Sequence, residues 1–348
     1  MLAPKLRFKE FNDEWKKVKI NKILKIKHGK NQKEIECING KYPILGTGGI
    51  IGTTNTPAYL KESVLIGRKG TIDKPMYINI PFWTVDTLFY SDVSSNYNVK
   101  FIYYLFNTIN WKKYDESTGV PSLSANTIEN IDVNISLEKE EQLKISQFLS
   151  LFDKKIELQQ RKIEVLKMYK RGLMKKILNN ITDSNLIKLK DIYKFTYGEG
   201  NTNPDNGGIY PVYGANGIIG GFDRYNAEES VIIGHMGAYA GNVLFEKNKH
   251  FVTYNGTIAI PKDVNKLRPK FGYYILLNAN LPKICAGSGM PFLSYETLNN
   301  IKVKLPSIEI QQKYEKIFDN IEIKICNEEK KLICLNKLKK SLLQKMFI

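Results

Sequence analysis

The sequence predicts a mixed α/β (α+β) protein in which two similar domains are joined by two long antiparallel coiled-coil helices, as a pseudo-twofold internal repeat. Three observations predict this fold: the length of the chain, a repeat of its first half in its second half, and a heptad pattern in each half. At 348 residues the chain exceeds the size at which one hydrophobic core keeps growing, so two medium-sized domains are expected. A content of 43% hydrophobic and 25% charged residues is typical of a folded protein.

The second half restates the first at an offset of about 167 to 170 residues. Three patterns recur in the same order: Tyr-Pro-x-x-Gly-x-x-Gly-Ile-Ile-Gly, Val-x-Ile-Gly-x-x-Gly and Gly-x-Pro-x-Leu-Ser. Solenoid repeats are much shorter than these copies, so each copy should fold as a domain. A two-copy repeat of this size suits a partner with twofold character of its own, such as duplex DNA. The matching segments are 42–52 with 210–220, 64–70 with 231–237, and 119–124 with 289–294, and segment 82–87 matches 251–256 as well.

Each copy ends in one long helix, because apolar residues follow the alternating spacing of four and three that is typical of a coiled-coil seam. Polar residues interrupt the seam at matching places, Gln159 with Glu328 and Lys170 with Lys339. Such residues can fix register, so the two helices are expected to specify each other, although two ordinary surface helices remain an alternative. The seam would be roughly 50 Å long and would act as a spacer. The apolar seam positions are Ile145, Leu149, Phe152, Ile156 and Ile163 in the first helix and Phe318, Ile321, Ile325, Leu332 and Leu342 in the second.

These patterns predict four segments along the chain. Turn-forming residues at 179–185 indicate a linker between the copies. Within the globular segments, β-branched runs predict strands at 63–66, 231–233 and 257–260, and crowded apolar residues predict helices at 99–110 and 270–278. The predicted segments are a first domain at 1–140, a first long helix at 141–180, a second domain at 181–308 and a second long helix at 309–348.

Charge makes nucleic acid the leading partner. The 52 Lys and Arg residues against 35 Asp and Glu leave a formal charge of +17, which attracts polyanions at long range. A general lysine bias could produce the same charge, so charge alone does not decide the question. The four cysteines form no Cys-x-x-Cys pair and have little histidine nearby, so neither a metal site nor disulfides are expected. With no apolar leader or membrane-length segment, we expect a cytoplasmic protein with no membrane contact.

Candidate DNA-binding residues are chosen from the repeated glycine-containing segments and, on residue chemistry alone, from presumed loops. Arg68 and Lys69 stand between two glycines where the second copy has His235 and Met236. The two copies therefore share this frame of glycines, and the residues between the glycines differ. Two domains that share a backbone and recognise different DNA sequences should differ in this way. An exposed hairpin tip of variable sequence explains these residues equally well. The DNA-binding candidates are Lys30, Thr47, Arg68, Lys69, Thr118, Asn216, His235, Tyr239 and Ser288.

The sequence carries no recognised catalytic constellation. It has neither an Asn-Pro-Pro-aromatic motif for amino methylation nor a Gly-x-x-x-x-Gly-Lys-Ser/Thr loop for nucleotide binding. A non-catalytic binding protein is therefore predicted. The main alternative is a coiled-coil scaffold with two ligand-binding domains, whose DNA binding would lack a steep dependence on salt.

Over essentially its whole length the chain resembles the specificity subunits of type I restriction-modification enzymes. The resemblance lies in the order and duplication of the three patterns and in the Glu-Glu-Gln-Leu-Lys-Ile-Ser start of the first long helix at 140–146. It implies two target-recognition domains that read a bipartite, asymmetric site in double-stranded DNA, with a spacer set by the helices. It also implies two methyltransferase subunits and further restriction subunits as partners, which would hold S-adenosylmethionine, ATP and Mg²⁺, with no cofactor in this chain. The second long helix begins Pro-Ser-Ile-Glu-Ile-Gln-Gln at 306–312, a departure that puts equivalent methyltransferase contacts in doubt.

Overall fold

The computed structural model describes residues 3–181, 184–200, 202–287 and 289–347. The chain divides into a first unit, residues 1–160 with 330–348, and a second unit, residues 161–329. Residues 182 and 183 of the predicted linker lie outside the described part of the chain. Among the described residues, no helix combines the length and the apolar character needed to cross a membrane.

The first unit is a mixed α/β domain. Its sheets have the strand orders β2-β8-β5-β6 and β4-β3-β7, and β1 pairs with β9. The strands are β1 Lys16–Lys19, β2 Leu24–Lys27, β3 Tyr42–Gly46, β4 Gly49–Thr54, β5 Ser63–Gly67, β6 Met76–Ile78, β7 Trp83–Thr84, β8 Leu88–Val93 and β9 Asp132–Ile135, and the helices are α1 Val99–Phe106, α2 Ala125–Glu129 and the long α3 Lys139–Asn179.

The second unit repeats this topology. Its sheets have the orders β11-β17-β14-β15 and β13-β12-β16, and β10 pairs with β18. The elements are β10 Asn185–Lys188, α4 Leu189–Ile192, β11 Tyr193–Tyr197, β12 Tyr210–Gly214, β13 Gly217–Phe222, β14 Ser230–Gly234, β15 Val243–Glu246, β16 Phe251–Val252, β17 Gly256–Pro261, α5 Pro269–Asn278, α6 Tyr295–Asn300, β18 Lys302–Leu305 and the long α7 Ile308–Phe347. The predicted fold class, a duplicated α/β domain with two long helices, is confirmed.

One predicted helix is shorter than its sequence pattern indicated. We predicted a helix over 99–110, whereas α1 ends at Phe106. Polar side chains after that point satisfy the last carbonyl groups: Asn107 Nδ2 donates to Tyr103 O at 2.7 Å, and Thr108 Oγ1 donates to Leu105 O at 2.7 Å. Side chains that bond the terminal carbonyls replace the next helical turn, so the helix stops there.

The central strand of each unit is buried on both faces, which explains its uninterrupted apolar run. In β5, Val64 and Ile66 face the main core, while Leu65 joins a second apolar cluster with Phe82 and Leu88. In β14 the residues at 231 and 233 face the main core and the residue at 232 faces a second cluster. This packing fixes the smaller sheet of each unit, and with it the β3–β4 and β12–β13 turns, against the end of the central strand.

The two long helices pair antiparallel in each unit. In the second unit Lys162 Nζ lies 2.9 Å from Glu328 Oε1, and Lys170 Nζ lies 2.5 Å from Glu322 Oε1, so residue numbers rise along α3 as they fall along α7. In the first unit, the start of α3 shares its apolar core with the end of α7. Antiparallel pairing, which the sequence only suggested, therefore follows from the contacts within each unit.

The predicted seam positions face inward along both helices. Ile145, Leu149, Ile163, Phe318 and Ile325 are buried. The other predicted apolar positions, Phe152, Ile156, Ile321, Leu332 and Leu342, are half-buried. Away from the seam, α3 leaves large apolar side chains exposed, namely Leu151, Leu158, Val165, Met168 and Tyr169.

Candidate nucleic-acid interface

In the first unit, loops from distant parts of the chain meet at the end of β5. The amide of Arg68 donates to Thr87 O at 2.8 Å, and the amide of Gly70 donates to Pro121 O at 2.8 Å. A Cβ atom on Gly70 would lie 3.9 Å from Thr47 Oγ1, so the β3–β4 turn lies beside this loop. Thr47 and Arg68 are therefore brought to one surface, which we call the first recognition surface.

Lys69 and Lys30 lie at the same surface. Lys69 pairs with Ser122 in an isolated β-bridge, and its side chain is exposed. The amide of Lys30 donates to Thr84 O at 2.8 Å, and Lys30 lines one shallow depression together with Asp86. The first recognition surface thus carries two exposed lysines beside Arg68.

Thr118 is exposed on the loop that leads from the 3₁₀ turn Trp111–Tyr114 to α2. The Asp115 carboxylate closes this loop, since its Oδ1 accepts from the Ser117 and Ser122 amides at 3.0 and 2.9 Å. These hydrogen bonds lower the pKa of Asp115 below its ordinary value. Because Ser122 pairs with Lys69, the loop that carries Thr118 is attached to the first recognition surface.

Arg68 forms an ion pair that the sequence did not single out. Its Nη1 donates to Asp86 Oδ1 at 2.6 Å, and the side chains of Arg68 and Asp86 are 30% and 65% exposed. Among the described residues, no protein atom accepts from Nε or Nη2 of this guanidinium. Asp86 lies in the segment Phe82-x-Thr84-x-Asp86-Thr87, which resembles Phe251-x-Thr253-x-Asn255-Gly256 in the second half of the sequence, and this match was the available signal.

The second unit builds the same backbone frame around different side chains. The amide of Gly237 donates to Pro291 O at 2.8 Å, as Gly70 does to Pro121, and the amide of Leu293 donates to His235 O at 2.9 Å, as Leu123 does to Arg68. Asn216 is exposed in the β12–β13 turn, and Tyr239 is 50% exposed on the adjoining 3₁₀ turn. We call this the second recognition surface. The remaining candidate, Ser288, lies outside the described residues.

Aromatic rings dominate the second recognition surface. Tyr197 stacks on Tyr295 with a centroid distance of 4.0 Å and an interplanar angle of 16°, and lies 4.3 Å from the His235 ring. Burial raises the pKa of Tyr295 to about 12. Neither tyrosine was among the predicted site residues, although Tyr295 stands where the first copy has Ala125. The two surfaces therefore differ in chemistry, basic in the first unit and aromatic in the second.

The buried His250 belongs to the core and not to the second recognition surface. It lies 2.9 Å from Ser230 Oγ through Nε2 and 2.7 Å from Asn248 O through Nδ1. Burial lowers its pKa below the ordinary histidine value. Within the described ranges, no cluster of three or more His, Cys, Asp or Glu side chains is arranged to hold a metal ion.

A repeated backbone frame with different side chains, carried by two α/β domains on paired helices, defines a duplicated recognition protein. The family model described as "Type I restriction modification DNA specificity domain" matches residues 12–168 and 182–337. The chain therefore belongs to the type I restriction-modification DNA specificity family. It is a non-catalytic subunit that provides DNA sequence specificity within a restriction-modification complex.

Two similar proteins match more than nine-tenths of the chain. The type I restriction enzyme MjaVIII specificity subunit of Methanocaldococcus jannaschii is 23% identical over 401 residues, covering 92% of this chain and 89% of that protein. The putative type I specificity subunit S.MgeORF438P of Mycoplasma genitalium is 23% identical and covers 99% and 97%.

Solved structures share the fold. The crystal structure of the type I restriction-modification S subunit from M. genitalium superposes with a TM-score of 0.67 at 22% identity, covering 100% of this chain and 99% of that one. A structure from work on complex assembly and conformational transition of the type I system gives a TM-score of 0.61 at 12% identity, covering 96% and 97%.

Proposed function

We propose that each α/β domain reads one half of a bipartite, asymmetric site in double-stranded DNA, and that the paired helices set the length of the unread spacer. The proposed reading domains are those predicted at residues 1–140 and 181–308. The main support for the proposal is that the two domains share the same backbone hydrogen bonds at this loop and differ in its side chains. The loop carries Arg68 and Lys69 in one copy and His235 and Met236 in the other. One frame keeps the geometry of approach to DNA the same, while different side chains select different bases.

The contacts divide by chemistry between base edges and phosphates. Arg68 and His235 would address base edges, because each stands at the end of a buried central strand. Exposed lysines and hydroxyls would contact phosphates and fix the position of the duplex. The net charge of +17 would speed association with DNA. The proposed phosphate and backbone contacts are Lys30, Thr47, Lys69, Thr118, Asn216, Tyr239 and Ser288.

Two methyltransferase subunits would bind the paired helices. Leu151 and Val165, at 66% and 63% exposure on α3, are large apolar side chains that a protein partner would cover. These subunits would methylate adenine N6 with S-adenosylmethionine, taking the flipped base into their own pocket. Separate restriction subunits would supply translocation and cleavage with ATP and Mg²⁺. We place the assembled enzyme in the cytoplasm, where chromosomal DNA is available.

The test is single-molecule mapping of N6-methyladenine across the source genome with and without this gene. Loss of one bipartite, asymmetric motif on deletion is the expected result, and it would also name both half-sites. Binding of the purified chain to DNA should weaken steeply with salt, with a log–log slope of about −0.9 for each phosphate neutralised. A methylome that is unchanged by deletion, together with salt-independent DNA binding, would refute the proposal and favour a scaffold role.

A further inference from the structure

Asp86 places a negative charge at a surface that we propose approaches the phosphates of DNA. It is 65% exposed at the first recognition surface, beside Lys30 and Arg68. Exposed ion pairs contribute little to stability, so folding does not explain the pair with Arg68. The carboxylate also repels phosphates, so its pairing with Arg68 needs a reason other than stability or charge.

The pair holds the guanidinium in one orientation. Asp86 Oδ1 accepts from Nη1 at 2.6 Å, which uses one corner of the planar group. The Nε–Nη2 edge is then left to donate two parallel hydrogen bonds. The acceptors N7 and O6 of guanine in the major groove match such an edge, and this bidentate contact is the commonest specific arginine contact with DNA.

The backbone on either side of Arg68 is rigid, as a base-reading residue requires. Its amide donates to Thr87 O and its carbonyl accepts from the Leu123 amide, at 2.8 and 2.9 Å. A Cβ atom on Gly67 would lie 2.1 Å from Thr71 O, and Gly70 has φ +87°, so glycine is required on both sides. The loop therefore holds the backbone of Arg68 in a fixed position, from which its side chain extends.

The second unit lacks both members of the pair. His235 stands in the place of Arg68, and the strand register places Tyr254 where the first unit has Asp86. The amide of His235 donates to Asn255 O at 2.8 Å, as the amide of Arg68 does to Thr87 O, so Asn255 matches Thr87 and the preceding Tyr254 matches Asp86. The carboxylate is found only in the copy that has an arginine to hold.

We propose that Arg68, oriented by Asp86, reads the major-groove edge of a guanine in the half-site of the first domain. The inference rests on the proposed function, because it assigns a base to one of the two reading surfaces. Arg68 is the base-contacting residue, and Asp86 is a positioning residue that acts through it.

The test begins with selection of bound sequences from random duplex DNA by the full-length chain with its methyltransferase subunits. The wild-type selection should give a bipartite motif, and R68A should lose the preference at one guanine in one half only. Replacing that guanine by 7-deazaguanine removes N7 and should weaken wild-type binding roughly 5- to 150-fold. Inosine keeps O6 and N7, so it should bind as guanine does.

Variants separate base reading from phosphate contact. R68K keeps the charge but loses the planar guanidinium that donates two parallel hydrogen bonds, so it should bind non-specific DNA normally and be less sensitive than the wild type to 7-deazaguanine. D86N should reduce discrimination between guanine and adenine while binding non-specific DNA as well as the wild type does. K69A, the neighbouring control, should weaken all sequences equally and keep the motif. Unchanged thermal unfolding of all three variants would show that they fold.

The outcomes distinguish this inference from the proposed function. A bipartite wild-type motif that R68A weakens uniformly, without loss of any base preference, would make Arg68 a phosphate contact and overturn the inference alone. Equal wild-type binding of guanine and 7-deazaguanine at every position of the half-site would do the same. Enrichment of no motif by the wild type would overturn both proposals.

Discussion

Lys170, a polar position of the helical seam, should stabilise the antiparallel pairing through Glu322, a carboxylate that it shares with Lys270 of α5. Its Oε1 lies 2.5 Å from Lys170 Nζ, and its Oε2 lies 3.1 Å from Lys270 Nζ. The Lys170 and Glu322 side chains are only 15% and 26% exposed, so solvent screens them weakly. Lys170 Nζ also lies 5.4 Å from the centre of the Tyr274 ring, which adds a cation–π contact.

The asymmetry of this network predicts which substitution costs more. Breaking a fully buried pair costs 3–5 kcal/mol, so at a quarter exposure E322A should cost about 2 kcal/mol, because it leaves two lysines without their shared partner. K170M should cost about 1 kcal/mol or less, since Glu322 keeps Lys270 and the methionine still covers the tyrosine rings. The double variant should cost less than the sum by about 1 kcal/mol.

The stability of these variants can be measured by urea unfolding, and the positions of the tryptophans make fluorescence specific to one unit. Trp15, Trp83 and Trp111 all lie in the first unit, so tryptophan fluorescence reports the unfolding of that unit by urea. Far-ultraviolet circular dichroism reports both units. E322A should lower the circular-dichroism transition of the second unit and leave the fluorescence transition in place. K339M, which removes the ion pair with Asp153 in the first unit, is the matched control and should lower the fluorescence transition.

Acid provides a second readout of the same network. Burial alone would raise the pKa of Glu322, but pairing with Lys170 and Lys270 outweighs it and lowers that pKa below its ordinary value of 4.5. A carboxylate with a lowered folded-state pKa stabilises the protein above its unfolded pKa, and this stability is lost as pH falls through the folded value. The difference between wild type and E322A should therefore shrink below about pH 4. Equal costs for E322A and K170M, or strict additivity, would refute the shared-carboxylate reasoning.

Three further predictions address the spacer, the second recognition surface and the helix caps. One heptad inserted at matching places in α3 and α7 adds roughly 10 Å of helix and should lengthen the unread DNA spacer by up to about 3 base pairs, with both half-sites kept. Methylome mapping that returns the original spacer length would show that the paired helices do not set it. H235A should change the half-site that R68A leaves intact, whereas changes in both halves in the same selection would contradict modular reading. Ser124 and Ser294 accept from the amides of Thr127 and Thr297, so S124A and S294A should each cost about 1 kcal/mol in urea unfolding. S124A should lower the fluorescence transition, which S294A should leave in place, and no loss of stability from either would argue against capping.

The elements that the sequence predicted well are those set by local pattern. The heptad spacing predicts helices at 141–180 and 309–348, and the structure has α3 at Lys139–Asn179 and α7 at Ile308–Phe347. The apolar runs predict strands at 63–66, 231–233 and 257–260, where the structure has β5, β14 and β17. Each of these patterns records whether a residue is buried, one position at a time, and periodic burial is enough to define a helix or a central strand.

Pairings between distant segments could not be predicted in the same way. The strand pairs β1–β9 and β10–β18 close each domain across more than a hundred residues, and no local pattern marks them. Residues 182 and 183 of the predicted linker and the candidate Ser288 lie outside the described part of the chain.

By itself, the sequence determined that the protein is duplicated, that each copy ends in a long amphipathic helix, and that the two copies carry different residues in one glycine frame. Only the tertiary structure decided that Arg68 meets Asp86 and that Tyr197 stacks on Tyr295. The reason is physical: periodicity reports the environment of single residues, whereas the chemistry of a recognition surface depends on which loops the core brings together, and that is set by packing across the whole domain.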